Sequence, residues 1–201
     1  MPVTTFNRYQ ILAEATEGTE QIKLIGDSII RNQLVEFCGR DPSHRKRHCI
    51  PGASVDDVTA AYEELTQEAN DKTLIIIHAG TNDVKRTASE ALLAKYREMI
   101  NKYKAKTRNI IISGILPRVN AENSFYSKAF SINNCLENVC KGEGVEFINL
   151  WNHFYNQPIL FRDDGLHLNS VGSARLGRLL NDAVSLHKSK NAKRGEAAVT
   201  T

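Results

Sequence analysis

The sequence predicts an α/β domain built on a five-stranded parallel sheet with helices on both faces. Three observations predict it. Short apolar segments recur five times along the 201 residues. Segments with helical spacing of apolar residues separate them. Two of the five, around Leu74-Ile75-Ile76-Ile77 and Asn109–Ile115, are apolar without alternation, the pattern of a strand covered on both faces. Strands alternating with helices in this way build a parallel sheet wound on both sides.

The elements follow in order. Gln21–Ile25 is a strand ending at Gly26, and Ile29–Phe37 has helical spacing. Arg47–Ile50 is a short second strand. Ser54, with Asp57 three residues on, has the form of a helix N-terminus, and that helix is expected to run to about Ala69. Thr73–His78 is the third strand. Ser89 is placed to cap a long helix carrying Leu92, Leu93, Tyr96, Met99, Ile100 and Tyr103. Asn109–Ile115 is the fourth strand, and Ser127–Lys141 the next helix, closed by Gly142 and Gly144. Val145–Asn149 is the fifth strand. Ser170–His187 is the last helix, with Leu176, Leu179, Leu180, Ala183 and Val184 on one side. The domain therefore occupies residues 21–187. Residues 1–20 read as a polar arm or linker, and residues 188–201 as a basic, disordered tail.

Composition excludes several classes. Hydrophobic content of 41% and charged content of 24% are ordinary for a globular chain. No apolar run reaches the length of a membrane span, and the first residues lack the apolar core of a signal peptide. The chain thus reads as cytoplasmic, or as a domain cut from something larger. Cys38, Cys49, Cys135 and Cys140 fit neither a zinc spacing nor a redox pair and are expected to be buried free thiols. No metal and no cofactor are expected.

Four separated blocks carry the chemistry: Gly26-Asp27-Ser28, Gly52, Gly80-Thr81-Asn82-Asp83 and Asp164-Gly165-Leu166-His167. Ser28 lies between a strand and a helix start, where a hydroxyl is exposed at the sheet edge. His167 is the candidate base, and Asp164, three residues before it, can reach the ring nitrogen facing away from the serine. Asp163 competes for that role but lacks the three-residue spacing. Gly52 offers an unobstructed backbone N–H, and Asn82 an amide donor, to the same developing oxyanion. Asp83 suits a structural carboxylate that bonds loop amides. Each block alone also fits a plain turn or cap. Together, at strand ends, they supply a nucleophile, a base, a base-orienter and an oxyanion hole.

These blocks resemble the SGNH hydrolase superfamily, also called GDSL esterases, over roughly Gln21–His187. The resemblance implies a three-layer flavodoxin-like fold. It makes Ser28 the nucleophile, completes the triad with Asp164 and His167, and builds the oxyanion hole from the Ser28 and Gly52 N–H groups and the Asn82 side chain. His78–Asp83, Ser113–Arg118 and Asp163–Asn169 are similar to the esterase domain in the first open-reading-frame protein of chicken-repeat-type LINE retrotransposons. Leu116-Pro117-Arg118 also resembles platelet-activating-factor acetylhydrolase catalytic subunits. Many members have proline after the histidine, where this chain has Leu168.

The resemblance implies a serine esterase acting on a small ester or lipid, with short acyl chains, in the service of a retrotransposon protein. The alternative is a nucleic-acid or ribonucleoprotein packaging module with incidental esterase activity. Two basic clusters support it: Arg45-Lys46-Arg47 with His44 and His48, and Lys188, Lys190, Lys193 and Arg194. Such groups could contact RNA phosphates, though no aromatic RNA-reading signature accompanies them. Membrane-surface contact and self-association stay open. Val119–Tyr126 is a candidate rim, with Phe125 and Tyr126 lining a pocket.

Overall fold

A computed structural model describes residues 20–199, with side chains to residue 194. The polar arm read from the sequence, apart from Glu20, lies outside the described residues. Five strands form one parallel sheet: β1 (Ile22–Gly26), β2 (Arg45–Cys49), β3 (Leu74–His78), β4 (Ile110–Ser113) and β5 (Glu146–Ile148), in the order β2-β1-β3-β4-β5. Gly26 is level with Cys49 on one side and His78 on the other, so the loops leaving β1, β2 and β3 emerge side by side.

Residue type explains the layering. All five residues of β3 and all four of β4 are buried, as continuous apolar runs require. The edge strand β2 reads Arg-Lys-Arg-His-Cys and is only partly covered, which blunts edge pairing. Successive residues of each strand feed opposite cores. Ile25, Ile75, Ile77, Ile110 and Ile112 pack beneath α2 (Val55–Ala60), α3 (Tyr62–Leu65), α4 (Ser89–Lys104) and α5 (Asn123–Glu143). Leu24, Leu74, Ile76 and Ile111 pack beneath α1 (Gln33–Glu36), α6 (Trp151–Phe154) and α7 (Ser170–Val199). The expected three-layer α/β architecture is therefore present.

Several boundaries differ from the sequence reading. The expected helix over Ile29–Phe37 is instead a 3₁₀ turn at Ser28–Ile30, the single turn α1 and a second 3₁₀ turn at Cys38–Arg40. Leu34 and Val35 face solvent while Gln33 is buried, its amide donating to the Ser173 carbonyl at 2.9 Å. Long-range polar bonding thus overrides the local apolar spacing. The helix after Ser54 opens with the expected capping box but breaks near Ala61 into α2 and α3. Ser89 is the first residue of α4 rather than its cap, which is Ala88. α5 begins four residues early and ends at Gly144, in the left-handed conformation that closes many helices.

The tail read as disordered, residues 188–201, is helical in α7 as far as Val199. Its first turn is tied down by contacts that no local pattern announces. Lys188 pairs with Glu20 at 2.7 Å and Lys190 with Glu146 at 2.7 Å. His187, itself buried, bonds Glu146 at 2.5 Å through Nδ1. No helix among the described residues is long and apolar enough to cross a membrane. The four cysteines carry free thiols; Cys38 and Cys140 are buried, and Cys135 is exposed.

Candidate active site

The chain order reverses between β1 and β3, and open sheets of this kind bind ligands at that point, beyond the carboxyl ends of the strands. Ser28 stands there, two residues past the end of β1. Asp27 caps the turn that presents it: one carboxylate oxygen accepts the Ile29 N–H at 2.9 Å. The serine is half-buried, so its hydroxyl stays accessible.

The loop before α7 brings in the other two members. His167 Nε2 lies 2.9 Å from Ser28 Oγ. On the far side of the ring, His167 Nδ1 lies 2.8 Å from Asp164 Oδ2. The other oxygen of Asp164 accepts the backbone N–H groups of Leu166 and His167 at 2.9 and 2.8 Å. These bonds fold residues 164–167 into one turn and aim the carboxylate at the ring. The His167 bond, followed by the two backbone bonds, holds the Asp164 carboxyl down at about 2. It is therefore ionised at neutral pH, when it accepts Nδ1–H and leaves the Nε2 lone pair toward the serine. Asp163, the competitor, is exposed and has no bond to His167 among the described residues.

Gly52 and Asn82 come to the flanks of Ser28, because β2 and β3 flank β1. Ile50 N–H donates to the Gly26 carbonyl at 2.8 Å, which pins the Pro51-Gly52 turn to the end of β1. Gly52 has a φ of +75°, a conformation glycine adopts without strain. Asn82 Nδ2 donates to the Ala53 carbonyl at 3.0 Å. That bond uses one amide hydrogen and leaves the second free. Asp83 accepts the Val55 N–H at 3.0 Å and ties the loop after β3 to α2, the structural role read from its position. Gly80 (φ +108°) permits the sharp exit from β3, since a Cβ there would sit 2.0 Å from the Tyr96 hydroxyl oxygen.

A buried polar layer supports the loops. Arg118 stacks over Phe125 at 4.9 Å and donates to the Thr81 carbonyl at 3.0 Å, bracing the Asn82 loop. His78 is fully enclosed and bonds Ser113 Oγ at 2.7 Å through Nδ1. Ser113 Oγ also lies 3.3 Å from the Ile77 carbonyl oxygen. Burial pushes the His78 ring down and the Asp27 carboxyl up, so neither favours charge. Phe125, though buried at 2% exposure, borders a cavity of about 310 Å³ with Val84, Lys85, Glu122 and Lys128. Tyr126 borders a cavity of about 130 Å³ beside Arg118 and Phe161.

A cavity of about 520 Å³ lies between α5, β5 and α7 and contains none of the four blocks. Chemistry decides the site over size here. The space at Ser28 and His167 is a shallow cleft of about 10 Å³, walled by Ile29, Arg31, Asn32, Arg162 and Leu168. Arg31 and Arg162 carry no motif, and sequence reasoning passed over them. Their signal was positional only: three residues after the serine and five before the histidine.

The basic clusters singled out in the sequence are largely engaged within the molecule. Arg45 bonds the Phe37 carbonyl and Asn181, Lys46 pairs with Glu68, and Arg47 bonds the Arg31 carbonyl. Lys188 and Lys190 hold the ion pairs described above.

A serine, a histidine and a carboxylate hydrogen-bonded in series at the carboxyl edge of a parallel sheet are the arrangement of a serine hydrolase. Within that class the chain belongs to the GDSL-like lipase/acylhydrolase family, whose model matches residues 24–175. Solved structures with this fold include a GDSL-like lipase from Bacteroides thetaiotaomicron. It is 18% identical, covers 89% of this chain and 97% of its own, and superposes with a TM-score of 0.68. A lipase/acylhydrolase from Enterococcus faecalis is 18% identical over 83% and 95% of the two chains, with a TM-score of 0.66. The esterase domain of the ORF1 protein from the zebrafish ZfL2-1 retrotransposon is 30% identical over 82% and 99%, with a TM-score of 0.45. No curated protein sequence matches the chain.

Proposed function

We propose that the protein hydrolyses short-chain carboxylic esters through a covalent acyl-enzyme on Ser28. The observation that carries this reading is the series Ser28 Oγ, His167 Nε2, His167 Nδ1, Asp164 Oδ2, with spacings of 2.9 and 2.8 Å. Ser28 Oγ attacks the ester carbonyl carbon while His167 Nε2 takes its proton. Asp164 holds the ring in the tautomer with hydrogen on Nδ1 and stabilises the imidazolium that forms. The free hydrogen of the Asn82 amide, with the Gly52 and Ser28 N–H groups, meets the charge on the carbonyl oxygen. Collapse breaks the bond to the alcohol, which leaves with the proton from His167. Water, deprotonated by His167, then attacks the acyl-enzyme and releases the acid.

The shallow cleft supports short acyl groups. The space of about 10 Å³ between Ser28, His167, Arg31 and Arg162 has room for about one water, so that side of the serine buries no long chain. The segments His78–Asp83, Ser113–Arg118 and Asp163–Asn169 support service to a LINE-type retrotransposon protein. The direct test is turnover of p-nitrophenyl esters of increasing chain length. Rates should be highest for acetate and propionate, and Ser28→Ala should abolish them. A preference for octanoate or longer would overturn the short-chain assignment, and turnover retained by Ser28→Ala would overturn the mechanism.

A further inference from the structure

We infer that Arg31 and Arg162 form an anion-recognition subsite beside Ser28, so that the preferred substrate is a small ester bearing a negatively charged group. The inference rests on the esterase reading above and names the substrate class within it.

Both arginines wall the same cleft as Ser28 and His167. Their backbones are anchored to those two residues. Arg31 N–H donates to the Ser28 carbonyl at 3.2 Å, and Arg162 N–H donates to the His167 carbonyl at 2.7 Å. Their side chains are exposed. Among the described residues, neither guanidinium has a carboxylate within 4 Å or a side-chain hydrogen bond. That sets them apart from Arg45, Arg118, Lys46, Lys104 and Lys190, each of which is engaged by protein groups. Arg47 adds a third positive group, its guanidinium bonded to the Arg31 carbonyl.

The opposing charges nearby do not cancel this set. Asp164 is occupied by His167 and two backbone N–H groups on the far side of the ring. Asp27 is fully buried, and its carboxyl is pushed toward the neutral form by burial. Asp163 is exposed beside Arg162 but makes no ion pair with it. The pocket beside Ser28 and His167, lined by neither Gly52 nor Asn82, therefore carries two forked donors, the arrangement that selects carboxylate or phosphate groups.

The test uses matched esters and the full chain. One arm compares 4-acetoxybenzoate with its methyl ester, placing the charge on the alcohol. The other compares mono-4-nitrophenyl adipate with 4-nitrophenyl hexanoate, placing it on the acyl group. In each arm the kcat/KM ratio of anionic to neutral ester is measured for wild type, Arg31→Gln, Arg162→Gln and the double variant. Taking variant against wild type removes the intrinsic reactivity of the esters. At least one arm should show a ratio that falls about 2- to 5-fold per arginine and about tenfold for both, as expected for exposed ion pairs. Arg31→Lys and Arg162→Lys should keep most of it, and about 0.5 M salt should erase it. Unchanged ratios in both arms would overturn the subsite. If wild type cleaves none of the four esters, the esterase reading fails instead. The subsite is then judged by binding of 4-acetoxybenzoate to Ser28→Ala, followed by NMR titration. Binding lost in Ser28→Ala carrying both Arg→Gln changes supports the subsite, and equal binding overturns it.

Discussion

Replacing Asn82 with alanine separates a catalytic role from a structural one. The proposed mechanism gives the side chain two tasks, one for each amide hydrogen. The first donates to the Ala53 carbonyl at 3.0 Å and joins the loops that follow β2 and β3. Loss of one such bond costs about 1 kcal/mol of stability. For a domain of this size that lowers the melting temperature by about 2–4 °C. The second hydrogen is free to meet the oxyanion. Loss of one oxyanion donor costs about 3–4 kcal/mol, or ~100- to 1,000-fold in kcat. Because that bond strengthens only in the transition state, KM should stay nearly constant. Steady-state kinetics on p-nitrophenyl acetate and thermal unfolding, run on one preparation, read both quantities. Asn82→Asp removes both donors and adds a negative charge beside the oxyanion, so it should be at least as slow. A melting temperature more than about 10 °C lower, with kcat reduced less than about fivefold, would refute the assignment and make Asn82 a loop-stabilising residue.

Further outcomes are expected. Asp164→Asn should keep the fold but lower kcat by roughly 10⁴, as for the equivalent change in a serine protease triad, because an amide no longer selects the productive histidine tautomer; turnover within tenfold of wild type would contradict this. Since Asp164 stays ionised down to about 2, the acid limb of kcat/KM should show no break from Asp164 above about pH 4; a pH-rate profile with such a break, lost in Asp164→Asn, would contradict this. Its native carboxyl sits below the unfolded value near 3.8, so its contribution to stability is present above pH ~4 and is lost as pH falls toward 2. Gly80→Ala should destabilise by about 2–4 kcal/mol, because the new Cβ meets Tyr96 and φ is +108°; Gly142→Ala, with open space around it, should be neutral or stabilising in the same melting assay.

What was legible in the sequence follows from how local each signal is. The buried strands declare themselves through runs such as Leu74–Ile77, since apolar residues on both faces have no other explanation in a chain of this composition. The Asp164–His167 turn was legible because three residues suffice to close it, and Ser28 because a strand end must precede it. Contacts at long range were not legible. Gln33 is buried to reach Ser173, 140 residues away, and this breaks the helix that Ile29–Phe37 suggests. The last helix continues past His187 because Glu20 and Glu146 receive its lysines. Arg31 and Arg162 meet only when the loops after β1 and before α7 converge, and neither lies in a recognisable pattern. The basic character of Arg45–Arg47 was plain, but its use in bonding Phe37, Asn181, Glu68 and Arg31 was not.

The central claim is that Ser28 Oγ is the atom that becomes acylated. Brief incubation of the protein with p-nitrophenyl acetate, quenching in acid and intact-mass analysis test it most directly. The account predicts one added acetyl group, mapped to Ser28 by peptide sequencing. His167→Ala should form it far more slowly, and Ser28→Ala should not form it at all. Ester turnover with the acetyl group on another residue, or undiminished in Ser28→Ala, would contradict the account.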